Sequence, residues 1–70
     1  MILVTGGAGF IGSTLIASLN DLGRSDIIIC DDLENGQKLI NIAKLEFLEL
    51  VNKTRLWDYL KSKPEIETIY

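Results

Sequence analysis

Four glycines stand within seven residues, at Gly6, Gly7, Gly9 and Gly12, and an aspartate, Asp31, follows nineteen residues after the last of them. Two overlapping spacings are present, Gly7-x-Gly9-x-x-Gly12 and Gly6-x-x-Gly9-x-x-Gly12. Either suits a turn whose backbone takes conformations closed to side chains, approaches a pyrophosphate and opens a helix packed close on the preceding strand. The N–H groups of the first helical turn then face the phosphates, helped by the positive end of the helix dipole. A carboxylate at the Asp31 spacing suits a ribose hydroxyl. A Walker-type phosphate loop is excluded, because no Gly-Lys-Ser/Thr follows the glycines. The competing reading, glycines that serve only a tight turn, lacks a role for Asp31.

The surrounding pattern supplies elements that would hold these residues. Ile2-Leu3-Val4 is a short apolar run ended by glycine, as in a strand buried on both faces of a parallel sheet. Ile11, Leu15, Leu19 and Leu22 recur at helical spacing, and Gly23 can end that helix in a left-handed conformation. Asp26-Ile27-Ile28-Ile29-Cys30 reads as a second buried strand closed by Asp31-Asp32. Together these make a βαβ unit. Glu34-Asn35-Gly36 is a turn signal, and Leu39, Ile42 and Ala43 suggest one or two helical turns. The segment from Leu45 to Leu50 partly alternates, as a third strand would. Asn52 suits the N-cap of a helix carrying Leu56, Trp57 and Leu60, which stops near Ser62 ahead of Pro64. Ile66 to Tyr70 reads as a fourth strand. The expected fold class is therefore α/β, the N-terminal part of a Rossmann-like doubly wound parallel sheet with about four strands and two or three helices.

Seventy residues allow one small domain, and net charge −3 with no basic face argues against nucleic acid. No stretch reaches the length of a membrane span and no signal peptide is evident, which favours a cytoplasmic protein without a membrane partner. The single Cys30 lies in an apolar run and reads as a buried small hydrophobe. The last predicted strand runs to the final residue. Residues 1–70 are thus expected to be an incomplete NAD(P)-binding domain, the start of a longer enzyme that is expected to be a homo-oligomer.

The opening Thr5-Gly6-Gly7-Ala8-Gly9-Phe10-Ile11-Gly12-Ser13 resembles the extended short-chain dehydrogenase/reductase family, whose members largely act on nucleotide-activated sugars. Asn20-Asp21 before Gly23, Asp31-Asp32-Leu33, Gly36-x-Lys38, Asn41 and Lys53 are similar, without gaps, to its ADP-L-glycero-D-manno-heptose 6-epimerase branch. That resemblance implies NADP as the cofactor, an ADP-heptose substrate, and a place in lipopolysaccharide core synthesis. It implies that Phe10 and Ile11 contact the pyrophosphate, and that Asp31, Asp32, Lys38 and Lys53 surround the adenosine ribose. By charge alone, Asp31 suits the free 2′-hydroxyl of NAD, whereas two nearby ammonium groups favour the 2′-phosphate of NADP or admit either. Away from the resemblance, either lysine could be a solvated surface charge. The branch tends to have Asp-Asn where this chain has Asp31-Asp32. The adenine-contacting aspartate of related proteins has no clear counterpart, with Glu49 and Asn52 standing in that region.

The same resemblance calls for a tyrosine with a lysine four residues later on a catalytic helix, next to a serine or threonine. Tyr59-x-x-x-Lys63 has the bare spacing but lies too early, on the helix before the fourth strand, and is rejected. No catalytic residue is expected in this chain, nor catalysis by the chain alone. Other readings are a different extended family member acting on a nucleotide sugar, or a non-catalytic dinucleotide-binding module. Trp57 and Tyr59 read as helix packing residues.

Overall fold

The structure, a computed structural model, describes residues 1–32, 36–62 and 65–70. Leu33, the Glu34-Asn35 turn signal, Lys63 and Pro64 lie outside the described residues.

The two most apolar runs form the two central strands. β1 (Ile2–Thr5) and β2 (Ile27–Asp31) pair in parallel, from Ile2 opposite Ile27 to Thr5 opposite Cys30. β3 (Glu49–Asn52) pairs outside β2, and β4 (Thr68–Ile69) outside β1, both parallel, so the sheet order is β3-β2-β1-β4. Parallel neighbours need crossovers. These are α1 (Phe10–Asp21), α2 (Gly36–Ile42) and α3 (Leu56–Ser62), the last preceded by a 3₁₀ turn at Lys53–Arg55.

Alternating strand residues divide the core between two faces. Ile2, Val4, Ile27 and Ile29 meet Ile16 of α1 and Ile42 of α2 on one side. Leu3, Ile28, Cys30 and Val51 meet Leu56, Tyr59 and Leu60 of α3 on the other. Every residue of β2 is buried, which explains why its sequence is apolar from Ile27 to Cys30 rather than alternating. Complete burial of a side chain such as Leu3, Ile28 or Ile29 contributes roughly 1.5–3 kcal/mol. The result is an α/β, Rossmann-like, doubly wound arrangement. Its strand order reverses direction between β1 and β4, and the glycine segment follows β1 at that switch point.

The termini of α1 follow the sequence closely. Gly23 takes φ 84°, its N–H donates to Asn20 O at 2.9 Å, and Arg24 N donates to Leu19 O at 2.9 Å, a Schellman ending. Leu15 and Leu19 of the expected stripe pack against the core, but the other two members of that stripe do not. Ile16 is fully buried, while Ile11 and Leu22 are 84% and 79% exposed. Ser13 and Ile16 are the buried residues of the helix, and Ile11 faces away from them. Trp57, expected to pack, is 74% exposed, whereas Tyr59 packs on the sheet as expected. Cys30 is a buried free thiol, also as expected.

The third strand begins at Glu49, later than the alternation from Leu45 suggested. Asn20 accounts for the difference. Its amide donates to Glu46 O at 2.9 Å and to Arg24 O at 2.8 Å, and its Oδ1 accepts from Glu46 N at 2.8 Å. With both backbone groups of Glu46 engaged by that side chain, the segment runs as a loop that tucks Leu45 and Phe47 against the core. Asn20→Ala should therefore destabilise the fold by about 2 kcal/mol, read as a lower urea midpoint with an unchanged slope. β4 is likewise shorter than the segment expected from Ile66 to Tyr70. Only Thr68 and Ile69 pair as strand, although Glu67 N and Tyr70 N still donate to Met1 O and Leu3 O.

Candidate functional site: the dinucleotide loop and its carboxylates

The C-terminal ends of β1, β2 and β3 bring the expected residues to one edge of the sheet. After Thr5 the chain turns at Gly6, whose φ of 67° lies in the left-handed region that favours glycine. Gly6 N donates to Cys30 O at 2.7 Å, holding the turn against β2. The Gly6 carbonyl then organises the rest. It accepts from Gly9 N at 3.0 Å, and it would lie 2.3 Å from a Cβ on Gly12 and 3.3 Å from one on Gly9. The Gly6-x-x-Gly9-x-x-Gly12 spacing is therefore the one that shapes the turn. Gly7 has a separate task, because a Cβ there would meet Ile29 Cγ2 at 2.9 Å and Ile16 Cδ1 at 3.1 Å in the core.

Gly9 is the N-cap of α1 and contributes no side-chain cap, and the first helical bond runs from Ser13 N to Gly9 O. The N–H groups of Phe10, Ile11 and Gly12 consequently have no acceptor within the helix. Phe10 and Ile11 are 81% and 84% exposed, so the first turn is open to an anion.

Asp31 ends β2 next to this turn and is 6% exposed. Its Oδ2 accepts from Ala8 N at 3.1 Å, and its Oδ1 from Asp32 N and Lys38 Nζ, both at 2.7 Å. Lys38, on α2, also donates to Asp32 Oδ1 at 2.6 Å, and Lys53 Nζ lies 3.3 Å from Asp32 Oδ2. The four residues read from the sequence as a ribose environment thus form one network of two carboxylates and two ammonium groups. Lys53 enters from the 3₁₀ turn after β3 and is the more exposed of the two lysines.

The sequence profile of the NAD dependent epimerase/dehydratase family matches residues 2–70. The chain belongs to this family. Family membership implies a nicotinamide dinucleotide cofactor and an NAD(P)-dependent epimerase or dehydratase as the enzyme type. The residues present fit an epimerase/dehydratase dinucleotide: an uncapped helix start, a turn closed to any side chain at Gly12, and a carboxylate flanked by ammonium groups.

Further residues of this family member are placed by the fold alone. Asn52, at the end of β3, spends its Oδ1 capping the 3₁₀ turn, accepting from Thr54 N and Thr54 Oγ1 at 3.0 Å. Its reading as an N-cap holds. Glu49 pairs with Ile28 at the start of β3, the end of the strand away from Asp31. Glu49 is therefore not placed as an adenine ligand, whereas Asn52 stands opposite Asp31 at the site end of the strand. Tyr59 OH is buried without a hydrogen-bond partner among the described residues. Burial pushes its pKa up, and the Glu49 carboxylate adds to that. Two residues escaped the sequence reading as parts of the site. Ala8 gives its N–H to Asp31, and its carbonyl accepts from Asn41 Nδ2 at 3.0 Å. The three-residue step from Lys38 to Asn41, which puts both on one side of a helix, was the available signal.

Burial opposes the charge of Asp31, yet the Lys38 ammonium and the N–H groups of Asp32 and Ala8 outweigh it and hold the pKa below its ordinary 3.8. A depressed pKa means that the ionised form is favoured more in the folded than in the unfolded chain. The stabilisation is complete above the unfolded value and is lost as pH falls through the folded one. The urea midpoint of the native protein should exceed that of Asp31→Asn by a constant margin above about pH 5, narrowing below about pH 4.

Proposed function

We propose that this chain is the cofactor-binding start of a cytoplasmic ADP-L-glycero-D-manno-heptose 6-epimerase that uses NADP. The observation that supports this most is the shared network of Lys38 and Lys53 with Asp31 and Asp32, since those lysines carry the resemblance to that branch. In this reading the first-turn N–H groups at Phe10 and Ile11 bind the pyrophosphate. Asp31 keeps acceptor capacity on Oδ2, where it receives one bond from Ala8 N, and takes a ribose hydroxyl there. Lys38 and Lys53 offset the charge of both aspartates and present ammonium donors to a 2′-phosphate. Asp32, where the branch tends to have asparagine, is accommodated because both lysines reach it.

When bound, a nicotinamide dinucleotide supplies reversible hydride transfer to a sugar carbon. This chain's own residues hold and orient its adenosine and pyrophosphate portion.

The direct test is to incubate the intact protein with ADP-D-glycero-D-manno-heptose and follow inversion at the sugar C6 by NMR. Inversion without net consumption of NADP supports the epimerase. Inert ADP-heptose with turnover of a different nucleotide sugar assigns the chain to another branch of the family. Binding of NADP without any sugar turnover favours a non-catalytic module.

A further inference from the structure

Asn41 lies one turn after Lys38 on α2, and both side chains reach the edge of the sheet where the glycine turn sits. Lys38 holds the carboxylates of Asp31 and Asp32. Asn41 holds backbone, its amide donating to Ala8 O at 3.0 Å, while its own Oδ1 accepts from Gln37 Nε2 at 3.4 Å. Ala8 is wholly buried, and its N–H donates to Asp31 Oδ2. Both peptide groups flanking Ala8 are thus held from the β2–α2 side of the site.

The peptide between Ala8 and Gly9 carries the consequence. In a trans peptide the carbonyl of one residue and the N–H of the next point in opposite directions. Asn41 engages the Ala8 carbonyl, and the Gly6 carbonyl accepts from Gly9 N at 3.0 Å. The plane is therefore pinned at both ends. Gly9 is the N-cap of α1, with no side chain to steer the first turn, so this plane sets the direction of the Phe10 and Ile11 N–H groups.

We infer that Asn41 is a positioning residue for the dinucleotide pyrophosphate, acting through the Ala8–Gly9 peptide from the same helix that brings Lys38 to the ribose carboxylates. The inference rests on the NADP reading of the site. Asn41 itself touches no ligand atom in this role, and its amide is needed to keep the phosphate donors aligned.

Two probes separate this role from a general structural one. NADP spans the whole site, whereas adenosine 2′-monophosphate has the 2′-phosphate but neither a 5′-phosphate nor a pyrophosphate. Isothermal titration of the intact protein should find that Asn41→Ala weakens NADP about five- to tenfold while adenosine 2′-monophosphate changes by less than about twofold, as expected for one lost hydrogen bond at the phosphate turn. Asn41→Asp keeps the shape and deletes the donor, and it should lower the ratio of the two affinities by at least as much. Equal loss of both probes makes Asn41 a general stabiliser and overturns the inference. Unchanged binding of NADP overturns it as well. If the unmodified protein binds neither probe, the NADP reading has failed, and that result is distinct from any pattern among the variants.

Discussion

Gly12→Val should weaken dinucleotide binding roughly 100-fold and destabilise the fold as well. A Cβ at Gly12 would stand 2.3 Å from Gly6 O, 2.8 Å from Gly7 Cα and 2.9 Å from Gly6 C. All three are backbone atoms of the turn, so no side chain can rotate aside, and either α1 must lift off or the turn must open. Overpacking of this kind costs about 3 kcal/mol, the upper part of the usual range, because the neighbours are backbone. The same displacement moves the N–H groups of Phe10 and Ile11, and a shift of about 1 Å in positioned donors costs roughly 100-fold. Urea denaturation and NADP titration of the same variant measure both effects. Gly9→Ala is the informative comparison. Its φ of −75° suits any residue, and its added Cβ meets only Gly6 O at 3.3 Å, so both losses should be much smaller. Normal binding by Gly12→Val would mean that the phosphates sit elsewhere.

The second large effect is expected at Lys38. Its ammonium is shared between Asp31 Oδ1 and Asp32 Oδ1, at 2.7 and 2.6 Å, and the pKa of the lysine is raised chiefly by those two hydrogen bonds. Lys38→Ala removes the ammonium that both carboxylates share and leaves the exposed Lys53, at Asp32, as the lysine of the network. A 2′-phosphate brought to that site would meet uncompensated negative charge, while the 2′-hydroxyl of NAD could still donate to Asp31. The affinity for NADP should fall roughly 10- to 100-fold relative to NAD, the scale of a lost charge-assisted hydrogen bond. Lys53→Ala should move the same ratio less, since that side chain is 63% exposed and its contact is 3.3 Å long. Calorimetric titration of both dinucleotides against the two variants decides the matter. An unchanged NADP-to-NAD ratio in Lys38→Ala would remove the 2′-phosphate from the account of this network.

How much of the molecule the sequence displayed follows from the range over which each interaction acts. The buried strands at Ile2–Thr5 and Ile27–Asp31, the glycine turn and the Gly23 helix ending were legible because each depends on neighbours in the chain: apolar run, small residue, left-handed cap. The site residues Gly6, Gly9, Gly12 and Asp31 were legible for the same reason, their spacing being set by one strand, one turn and one helix. The sequence left two glycine spacings open, and only packing separated them, by placing the Gly6 carbonyl against Gly9 and Gly12 and turning Gly7 into the core. The late start of β3 could not be read from alternation, because what keeps Glu46 out of the ladder is Asn20, twenty-six residues earlier. Likewise, Ile11 carried the right helical period but the wrong face, since the face was chosen by where α1 touches the sheet.

Taken by itself, the sequence determined the order of the elements, the parallel α/β class and the chemistry suited to its glycine turn. Those features rest on local backbone preference and burial, which short-range pattern records. The tertiary structure decided that Lys38 and Lys53 converge on Asp31 and Asp32, and that Asn41 holds the turn at Ala8. These groups come from three different crossovers, and only parallel pairing of β1, β2 and β3 in register brings the strand ends level so that side chains far apart in the chain can meet.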